Sequence, residues 1–458
     1  MLRRLTPFVA LTVLAAPALA QSPVGDWEGG IEIGQPEPLK MVLHVAEAGD
    51  SLDVTLDVPQ QGGVGIPATG VRATPDSLYV EYAMFGGSFA LAVAADSLHG
   101  SFSQGGATLP ITLTAGDPIS RPQTPEGPFP YASEDVSVES GPGVTLAGTF
   151  VKPEGAGPFP AVVFLTGSGA QDRNEEIAGH QPFAVLADAL ARRGVASLRA
   201  DDRGTGESTG DFSDSNLDTH LADATALLAA VQARDDVSMV GVLGHSEGGL
   251  TALRLAGDVD FVVTLAGPTV PFGSIYPEQM ARAVRLSGVD STASATYGTA
   301  VAAMLQPVLD APDAPDETLR PLMDAAFNEG LAEIPTAQRQ QMGLAGPGYQ
   351  QVKATLIDFL LSPGMRSLMS YDPEADVASL ATPTLALYGG KDFQVPAEMN
   401  AEALEGRDGV TVVVVEDANH LFQTAETGGL AEYGQIEETI APETLEMIVA
   451  WVAETAGS

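Results

Sequence analysis

The sequence predicts two folded domains: an α/β domain built on a parallel sheet with a helical cap insertion, preceded by an all-β sandwich or barrel. Between residues 24 and 115, apolar residues alternate with polar or small ones, which is the pattern of half-buried β-strands. From residue 133 to 458, short continuous apolar runs are separated by helical stretches, as expected of a parallel sheet covered on both faces. Residues 270–375 interrupt this alternation with several predicted helices and no strong strand-like run.

The predicted all-β domain spans residues 24–115 and is punctuated at short intervals by Gly, Asp and Pro. Its clearest strand-like segments are 39–45, 51–58, 77–82 and 89–93. The opening residues 25–29 resemble the first strand of a lipocalin-like domain. Five prolines then make residues 116–132 a stiff, extended linker.

In the α/β domain, each apolar run is a predicted strand of a central sheet. The runs are 161–165, 195–199, 239–243, 261–265, 384–388 and 411–415, and the clearest helices between them are 181–193 and 217–233. The insertion at 270–375 lies on the side of the sheet where ligands bind, so we expect it to form a lid. Six of the twelve methionines fall in it. They could line an apolar pocket, but filling an irregular helical core is the favoured interpretation.

The first twenty residues have the features of a secretory signal peptide. Arg3 and Arg4 precede an apolar run at 8–16, and an A-x-A cleavage pattern ends at Ala20. The run is too short to span a bilayer comfortably, and no later segment is apolar enough for a transmembrane helix. We therefore expect export to the periplasm or the outside, which agrees with the lack of cysteine.

The charge balance is strongly acidic, with 60 Asp and Glu against 21 Lys and Arg. The acidic residues are scattered along the chain and do not form a single tail. Such a surface repels phosphate backbones, so nucleic acid is not an expected partner.

The sharpest local signal is a G-x-S-x-G motif at 244–248, which follows a buried strand and leads into a helix. In that context the turn is so tight that Gly244 and Gly248 must lack side chains, and Ser246 takes a strained conformation. The hydroxyl then stands at a helix N-terminus, where developing negative charge is stabilised. We predict that Ser246 is a nucleophile, and an ordinary Gly/Ser turn is the alternative.

A nucleophilic serine needs a base, and the base needs an orienting partner. His420 lies just past the last strong strand, where a loop can hold an imidazole over Ser246. Asp392 follows the preceding strand, and the chain order Ser, Asp, His is the one expected for this fold. Asp417 competes for the role of the acid, but it is only three residues from His420 and cannot easily brace the ring from behind. His245 is adjacent to the nucleophile, so its side chain should project away from it.

A tetrahedral intermediate requires two N–H donors for its negative oxygen. One should be the amide of Glu247, directly after the nucleophile. The other should come from the glycine-rich loop that follows the strand at 161–165. Within this loop Ser168 is the preferred donor and Gly169 the alternative.

Taken together, these residues resemble the α/β-hydrolase superfamily over residues 133–458. The motifs that carry the resemblance are Thr166–Gly169, Asp202–Gly206, Gly244–Gly248, Gly390–Asp392 and Asn419–His420. More narrowly, residues 167–174 and 179–183 resemble exported bacterial esterases, which often carry a β-rich N-terminal domain. The resemblance implies no metal and no organic cofactor. One departure is Thr166, where many members have His before the oxyanion glycine. The family's substrate specificity is therefore a weaker guide to this chain than its backbone amide donors are.

The predicted function is that of a serine hydrolase, with a small-molecule acyl ester as substrate. A serine peptidase related to aminopeptidases or prolyl oligopeptidases would use the same triad. An acyl-CoA thioesterase is disfavoured because export removes the protein from CoA. A non-catalytic ligand-binding protein would require a vestigial triad, although all three members are present.

Overall fold

A computed structural model describes residues 23–32, 38–49, 51–58, 63–94, 96–116, 120–346 and 348–457. The predicted signal peptide at 1–20 lies outside these residues. The chain forms two compact units, one before and one after the boundary at residues 118 and 119. No helix in the described ranges is long and apolar enough to cross a membrane.

The first unit is a single antiparallel sheet, and its strands follow one another as a meander. The strands are β1 (Gly25–Ile31), β2 (Leu39–Ala48), β3 (Ser51–Val58), β4 (Gly63–Pro67), β5 (Gly70–Thr74), β6 (Ser77–Tyr82), β7 (Gly87–Val93), β8 (Ser97–Gln104) and β9 (Ala107–Ala115). Their order in the sheet is β4-β3-β2-β1-β9-β8-β7-β6-β5. The amide of Ala68 donates to the carbonyl of Val54 at 2.9 Å, so the end of the sheet curls back toward β3. The predicted β-rich domain is confirmed as a half-barrel and not as a two-sheet sandwich.

Alternation of side chains places one face of this sheet in the core. Along β2, Leu39, Met41, Leu43 and Val45 are buried, while the residues between them are half-buried. Successive side chains of a strand point to opposite faces, so this alternation gathers the apolar residues into one cluster. Trp27 of β1 is buried in the same cluster, opposite Leu43 in the strand register.

His44 lies on the other face of the half-barrel, between two carboxylates. Its Nδ1 is 2.5 Å from Asp26 Oδ1, and its Nε2 is 2.8 Å from Asp57 Oδ2. The hydrogen bond to Asp57 outweighs the opposing effect of burial and, with Asp26, raises the pKa of His44 to about 9. At neutral pH the imidazole is therefore charged and joins β1, β2 and β3.

The second unit contains an eight-stranded sheet that is parallel except at one edge. Its strands are β10 (Ala132–Gly141), β11 (Val144–Lys152), β12 (Phe159–Leu165), β13 (Ala196–Ala200), β14 (Val237–His245), β15 (Phe261–Leu265), β16 (Thr384–Gly389) and β17 (Val410–Val415). The order is β10-β11-β13-β12-β14-β15-β16-β17, and β10 and β11 are the antiparallel edge. All six predicted runs of the α/β domain are strands of this sheet, so the predicted fold class is confirmed. The edge strands β10 and β11 were not predicted.

Helices cover both faces of this sheet and form the insertion. They are α1 (Pro182–Arg192), α2 (Leu217–Gln232), α3 (Glu247–Arg254), α4 (Phe272–Leu286), α5 (Ser291–Asp310), α6 (Asp316–Ala332), α7 (Thr336–Gln341), α8 (Tyr349–Leu360), α9 (Pro363–Ser370), α10 (Glu374–Ser379), α11 (Ala397–Asn400), α12 (Leu430–Tyr433) and α13 (Pro442–Thr455). Every residue of β12, β15 and β16 is buried, as expected of strands covered on both sides.

The cap is the helical segment α4 to α10 between β15 and β16, and it has its own apolar core. Met304, Met323, Met365 and Met369 are buried in this core, which supports the core-filling interpretation of the methionines. The cap core also includes Leu217 and Leu250 from the helices of the sheet. The cap is therefore packed directly onto α2 and α3.

Residues in the middle of the predicted linker are held against the rest of the α/β unit. Arg121 donates hydrogen bonds to the carbonyls of Ile436 at 2.9 Å and Gly434 at 2.8 Å. Gln123 Nε2 donates to the carbonyl of Ile440 at 2.8 Å. Residues 120–123 thus pack as part of the second unit.

We predict that His44→Gln destabilises the half-barrel at pH 6 but not at pH 10. The pKa of His44 is about 9 in the folded chain, above the ordinary 6.5. The stabilisation is therefore fully present below pH 6.5, declines as pH rises, and is lost above about pH 9. Because the ring is partly exposed, we expect a decrease in Tm of about 2–4 °C at pH 6, measured by calorimetry of the full chain.

His99→Gln is the matched control, because the described partners of His99 are the hydroxyls of Ser97 and Thr112. A Tm difference between the His44 variant and the wild type that is the same at both pH values would contradict this account of His44.

Candidate active site

The backbone turns sharply at Ser246, between the end of β14 and the start of α3. Ser246 has φ +53° and ψ −120°, in a region that non-glycine residues rarely occupy. A Cβ on Gly244 would lie 2.0 Å from the carbonyl oxygen of Gly248, and one on Gly248 would lie 2.1 Å from that of Leu165. Both glycines are required by this close packing of β12, β14 and α3. The predicted strand–turn–helix geometry is present, and it presents Ser246 at the helix N-terminus.

Asp392 and His420 form a buried pair. Asp392 Oδ2 is 2.7 Å from His420 Nδ1, and the relative exposures of the two residues are 1% and 5%. The other carboxylate oxygen of Asp392 accepts the backbone N–H groups of Gln394 at 2.7 Å and Val395 at 3.0 Å. These two donors fix the carboxylate, which leaves Oδ2 directed at the imidazole. A ring held through Nδ1 in this way has Nε2 available for another partner.

Asp417, the alternative acid, is turned away from His420. Its side chain is 73% exposed and forms an ion pair with Lys391 at 2.9 Å. Asp392 is therefore the carboxylate that contacts the imidazole.

The loop that carries His420 is a tight turn closed by its own side chains. Asn419 Oδ1 accepts the N–H groups of Leu421 and Gln423, each at 3.0 Å. Asn419 Nδ2 donates to Gln423 Oε1 at 2.8 Å, and both side chains are fully buried. A buried, fully paired turn of this kind holds the imidazole of His420 in place.

The glycine-rich loop after β12 is fastened at three points. The Gly167 amide donates to Glu175 Oε1 at 2.7 Å. Thr166 Oγ1 donates to Asp202 Oδ1 at 2.7 Å, and the Gln171 amide donates to Asp202 Oδ2 at 2.9 Å. Thr166, which departs from the family pattern, thus anchors the loop through its hydroxyl.

The amides predicted as oxyanion donors have no partner within the part of the chain that the structure describes. Within the described ranges, the N–H groups of Ser168, Gly169 and Glu247 donate to no protein acceptor. Glu247 is the first residue of α3, where N–H groups have no intrahelical partner. Ser168 directly follows Gly167, and a Cβ on Gly167 would lie 3.4 Å from Ser246 Cβ. The glycine-rich loop therefore passes beside Ser246 at Gly167, directly before the amide of Ser168.

A polar cavity of about 50 Å³ lies behind the Ser246 turn, lined by Thr166, Asp202, His220 and Glu247 among others. His220 Nδ1 is 2.8 Å from Glu247 Oε1. Burial alone would lower the pKa of His220, but Glu247, together with Asp202 and Asp223, outweighs burial and raises it. Burial raises the pKa of Asp202. The side chain of Glu247 is thus tethered on the side of the sheet where α2 packs, while its amide faces Ser246.

The structure brings the predicted acid and base together, and Gly167, which precedes the predicted donor Ser168, lies beside Ser246. Ser246 Oγ itself makes no hydrogen bond to any described residue. Catalytic hydrogen bonds are often long in proteins without a bound substrate and shorten in the complex. The arrangement has a hydroxyl, an oriented imidazole and free N–H donors, which are the parts required for acyl transfer.

Sequence reasoning missed two residues of the site, Glu175 and His245. His245 was expected to project away from Ser246, and sequence reasoning gave it no partner, whereas its Nε2 lies 3.0 Å from the carbonyl oxygen of His420. Its Nδ1 lies 3.0 Å from Glu175 Oε1. For His245 the only local signal was its position inside the G-x-S-x-G motif. Glu175 had no such signal, because nothing around it in the sequence marks it as buried.

Within the described ranges, no group of three or more His, Asp or Glu side chains is placed to hold a metal ion.

Comparison with known proteins agrees with the observed sheet. A sequence profile of the Alpha/beta hydrolase family matches residues 162–432, which is more than half of the chain. Esterase EstD of Thermotoga maritima is 27% identical over 304 residues, and the match spans 65% of this chain and 62% of EstD. The range matched by the profile contains Ser168, Ser246, Asp392 and His420.

Two solved structures show more distant similarity. Est1E of Butyrivibrio proteoclasticus with bound ferulic acid is 18% identical, with 70% of this chain and 96% of that chain covered at a TM-score of 0.40. An esterase of Pyrococcus furiosus is 14% identical, with 74% and 97% covered at a TM-score of 0.41.

We predict that Gly248→Ala destabilises the chain and removes any activity that depends on Ser246. The added Cβ would lie 2.1 Å from the Leu165 carbonyl, so β12 and α3 must move apart. Such overpacking costs about 1–3 kcal/mol, measurable as a lower urea midpoint. Gly257→Ala is the control, because its Cβ would meet nothing within 4 Å. Equal urea midpoints for the two variants would show that the turn is less constrained than described.

Proposed function

Because the chain belongs to the alpha/beta hydrolase family, we propose that it is a serine hydrolase that cleaves carboxylic esters through an acyl-enzyme intermediate. The buried contact between Asp392 and His420 is the observation that carries this proposal, since it orients one imidazole at the Ser246 turn. The choice of an ester rests on the similarity to Esterase EstD.

In the first half of the reaction, His420 Nε2 takes the proton of Ser246 Oγ as the oxygen attacks the ester carbonyl carbon. Asp392 holds the ring through Nδ1 and stabilises the imidazolium that forms. The carbonyl oxygen becomes an oxyanion, which accepts hydrogen bonds from the amides of Ser168 and Glu247, with Gly169 as the alternative to Ser168. The positive end of the α3 dipole lies at the same place and adds to this stabilisation.

In the second half, the tetrahedral intermediate collapses and the C–O bond to the alcohol breaks. His420 gives its proton to the departing alcohol oxygen, which leaves the acyl group on Ser246. A water molecule then loses a proton to His420 and attacks the acyl carbon. The second intermediate collapses to release the carboxylic acid, and Ser246 Oγ regains its proton.

Ser168 is a better candidate for the second donor than Gly167, which precedes it. The Gly167 amide is already committed to Glu175 Oε1 at 2.7 Å. Ser168 is exposed, and its amide has no described acceptor.

The position of the cap favours a small molecule as the substrate, because the cap packs on α2 and α3 beside the Ser246 turn. A serine peptidase would use the same chemistry, and no described contact favours it. Measured rates with esters and with amino-acid anilides separate the two functions.

We further propose that the chain is exported to the periplasm or the outside, with cleavage after Ala20. The support is the charged start, the short apolar run and the A-x-A pattern of the first twenty residues.

We predict hydrolysis of short p-nitrophenyl esters, little or no hydrolysis of amino-acid anilides, and labelling of the wild-type chain by a fluorophosphonate. Ser246→Ala should abolish labelling, and His420→Ala should lower kcat by about a thousand-fold or more because the hydroxyl loses its base. Asp392→Asn should lower kcat strongly, because the amide cannot hold the productive tautomer.

Asp417→Asn and Ser287→Ala are the matched controls, since both side chains are exposed. They should leave kcat and labelling essentially unchanged. Full activity of Ser246→Ala would overturn the proposed nucleophile, and faster turnover of anilides than of esters would favour a peptidase.

We predict that the exported protein begins at Gln21 when the full chain is expressed with its own leader. N-terminal sequencing and intact mass of the recovered protein test this. Ala20→Arg should block processing and leave the longer chain in the membrane fraction, whereas Ser22→Ala should be processed normally. Recovery of an active, exported chain that still begins at Met1 would contradict the signal-peptide interpretation.

A further inference from the structure

Glu175 is a buried carboxylate whose side-chain hydrogen bonds all go to the segments around Ser246. It is 1% exposed, and Oε1 accepts the Gly167 amide at 2.7 Å and lies 3.0 Å from His245 Nδ1. Oε2 has no hydrogen-bond partner among the described residues. The backbone of Glu175 has φ +53°, a conformation that costs a non-glycine residue energy.

His245 links Glu175 to the loop that carries His420. Its Nε2 lies 3.0 Å from the carbonyl oxygen of His420, and the two imidazole centroids are 4.7 Å apart. A continuous chain of contacts therefore runs from Gly167 through Glu175 and His245 to His420. It joins the loop after β12, the end of β14 and the loop after β17.

Counting protons shows what this chain of contacts requires. The His420 carbonyl can only accept, so His245 Nε2 must carry a proton. His245 Nδ1 faces a carboxylate oxygen, which also accepts when Glu175 is ionised. Both ring nitrogens then donate, and the ring is an imidazolium paired with a carboxylate.

The surroundings favour this charged pair. Burial is the largest single influence on the pKa of His245 and lowers it, but the neighbouring groups together outweigh burial and raise the pKa, with the Glu175 carboxylate first among them. Asp392 adds to the same effect, and the backbone carbonyl of His420 accepts from the ring. Apolar side chains such as Phe183 and Leu186 pack beside Glu175, and an ion pair in such a medium is strong.

We propose that Glu175, acting through a protonated His245, is a positioning residue that sets the distance between the glycine-rich loop after β12 and the loop that carries His420. The proposal rests on the proposed ester hydrolysis. By holding the Gly167 amide, Glu175 removes that donor from the site and orients the following peptide, which carries the Ser168 N–H. By holding His245, it fixes the backbone on which the His420 imidazole is mounted.

Glu175→Gln tests this role with little change in shape. The neutral amide oxygen can still accept from Gly167, but it no longer stabilises an imidazolium at position 245. A neutral His245 must lose one of its two contacts, so the two loops are no longer joined. We expect kcat to fall about ten- to a hundred-fold with little change in KM, because misplacement by about 1 Å has effects of this size.

Glu176→Gln is the matched control, because Glu176 is the next residue along the chain and is exposed. It should leave kcat unchanged. His245→Gln should resemble Glu175→Gln, and the double variant should lose little more than the more damaging single variant, since both act through one pair. If Glu175→Gln fails to fold, as judged from Tm, His245→Gln carries the same expectation.

A second measurement does not depend on activity. In chain labelled with ¹⁵N-histidine, both ring nitrogens of His245 should remain protonated to a higher pH than those of a free histidine. His245→Gln assigns the signals, and Glu175→Gln should return the ring to the neutral form. A neutral His245 in the wild-type chain would overturn the proposal.

The outcomes separate this inference from the proposed function. If the wild-type chain hydrolyses esters and Glu175→Gln matches Glu176→Gln in kcat, the positioning role is wrong and ester hydrolysis stands. If the wild-type chain neither hydrolyses esters nor reacts with the fluorophosphonate, the proposed function fails and the positioning role fails with it.

Discussion

The close passage of the backbone from β14 into α3 at Ser246 is the constraint on which the rest of the site depends. Gly244 and Gly248 allow it, because a Cβ on either would lie within about 2 Å of a backbone oxygen. The strained φ of Ser246 persists because the buried strands on both sides leave the chain no other path. The turn places a hydroxyl and a free helix amide at one edge of the sheet, where the other loops meet it.

Buried carboxylates hold those loops in place around Ser246. Asp392 orients His420 from one side, while Glu175 and Asp202 fasten the glycine-rich loop from the other. Each of these carboxylates accepts hydrogen bonds from backbone amides or hydroxyls, which offset part of the cost of its burial. In a medium of low polarity such contacts are strong and directional, which suits a site that must keep its N–H donors fixed while charge develops. The cap packs over the same region through Leu217 and Leu250.

Much of this architecture could be predicted, since the parallel strands are continuous apolar runs and the half-barrel strands alternate. The edge strand β10 could not, because it is exposed along much of its length and has no apolar run to mark it. The extent of the linker was also beyond sequence reasoning, because Arg121 is held by carbonyls more than three hundred residues away. For the same reason Glu175 was missed and the contacts of His245 were not predicted, since both depend on partners that meet only when the sheet is assembled.

The sequence by itself determined the fold class, the tight turn at Ser246 and the placement of Asp392 and His420 after successive strands. These follow from local rules, since hydrophobic periodicity specifies strands and helices, and a turn this tight excludes side chains at its glycines. Only the tertiary structure decided that Asp392, and not Asp417, contacts the imidazole, and that Glu175 withdraws the Gly167 amide from the site. Those outcomes depend on burial and direction, because a hydrogen bond forms only between groups that three-dimensional packing brings within about 3 Å.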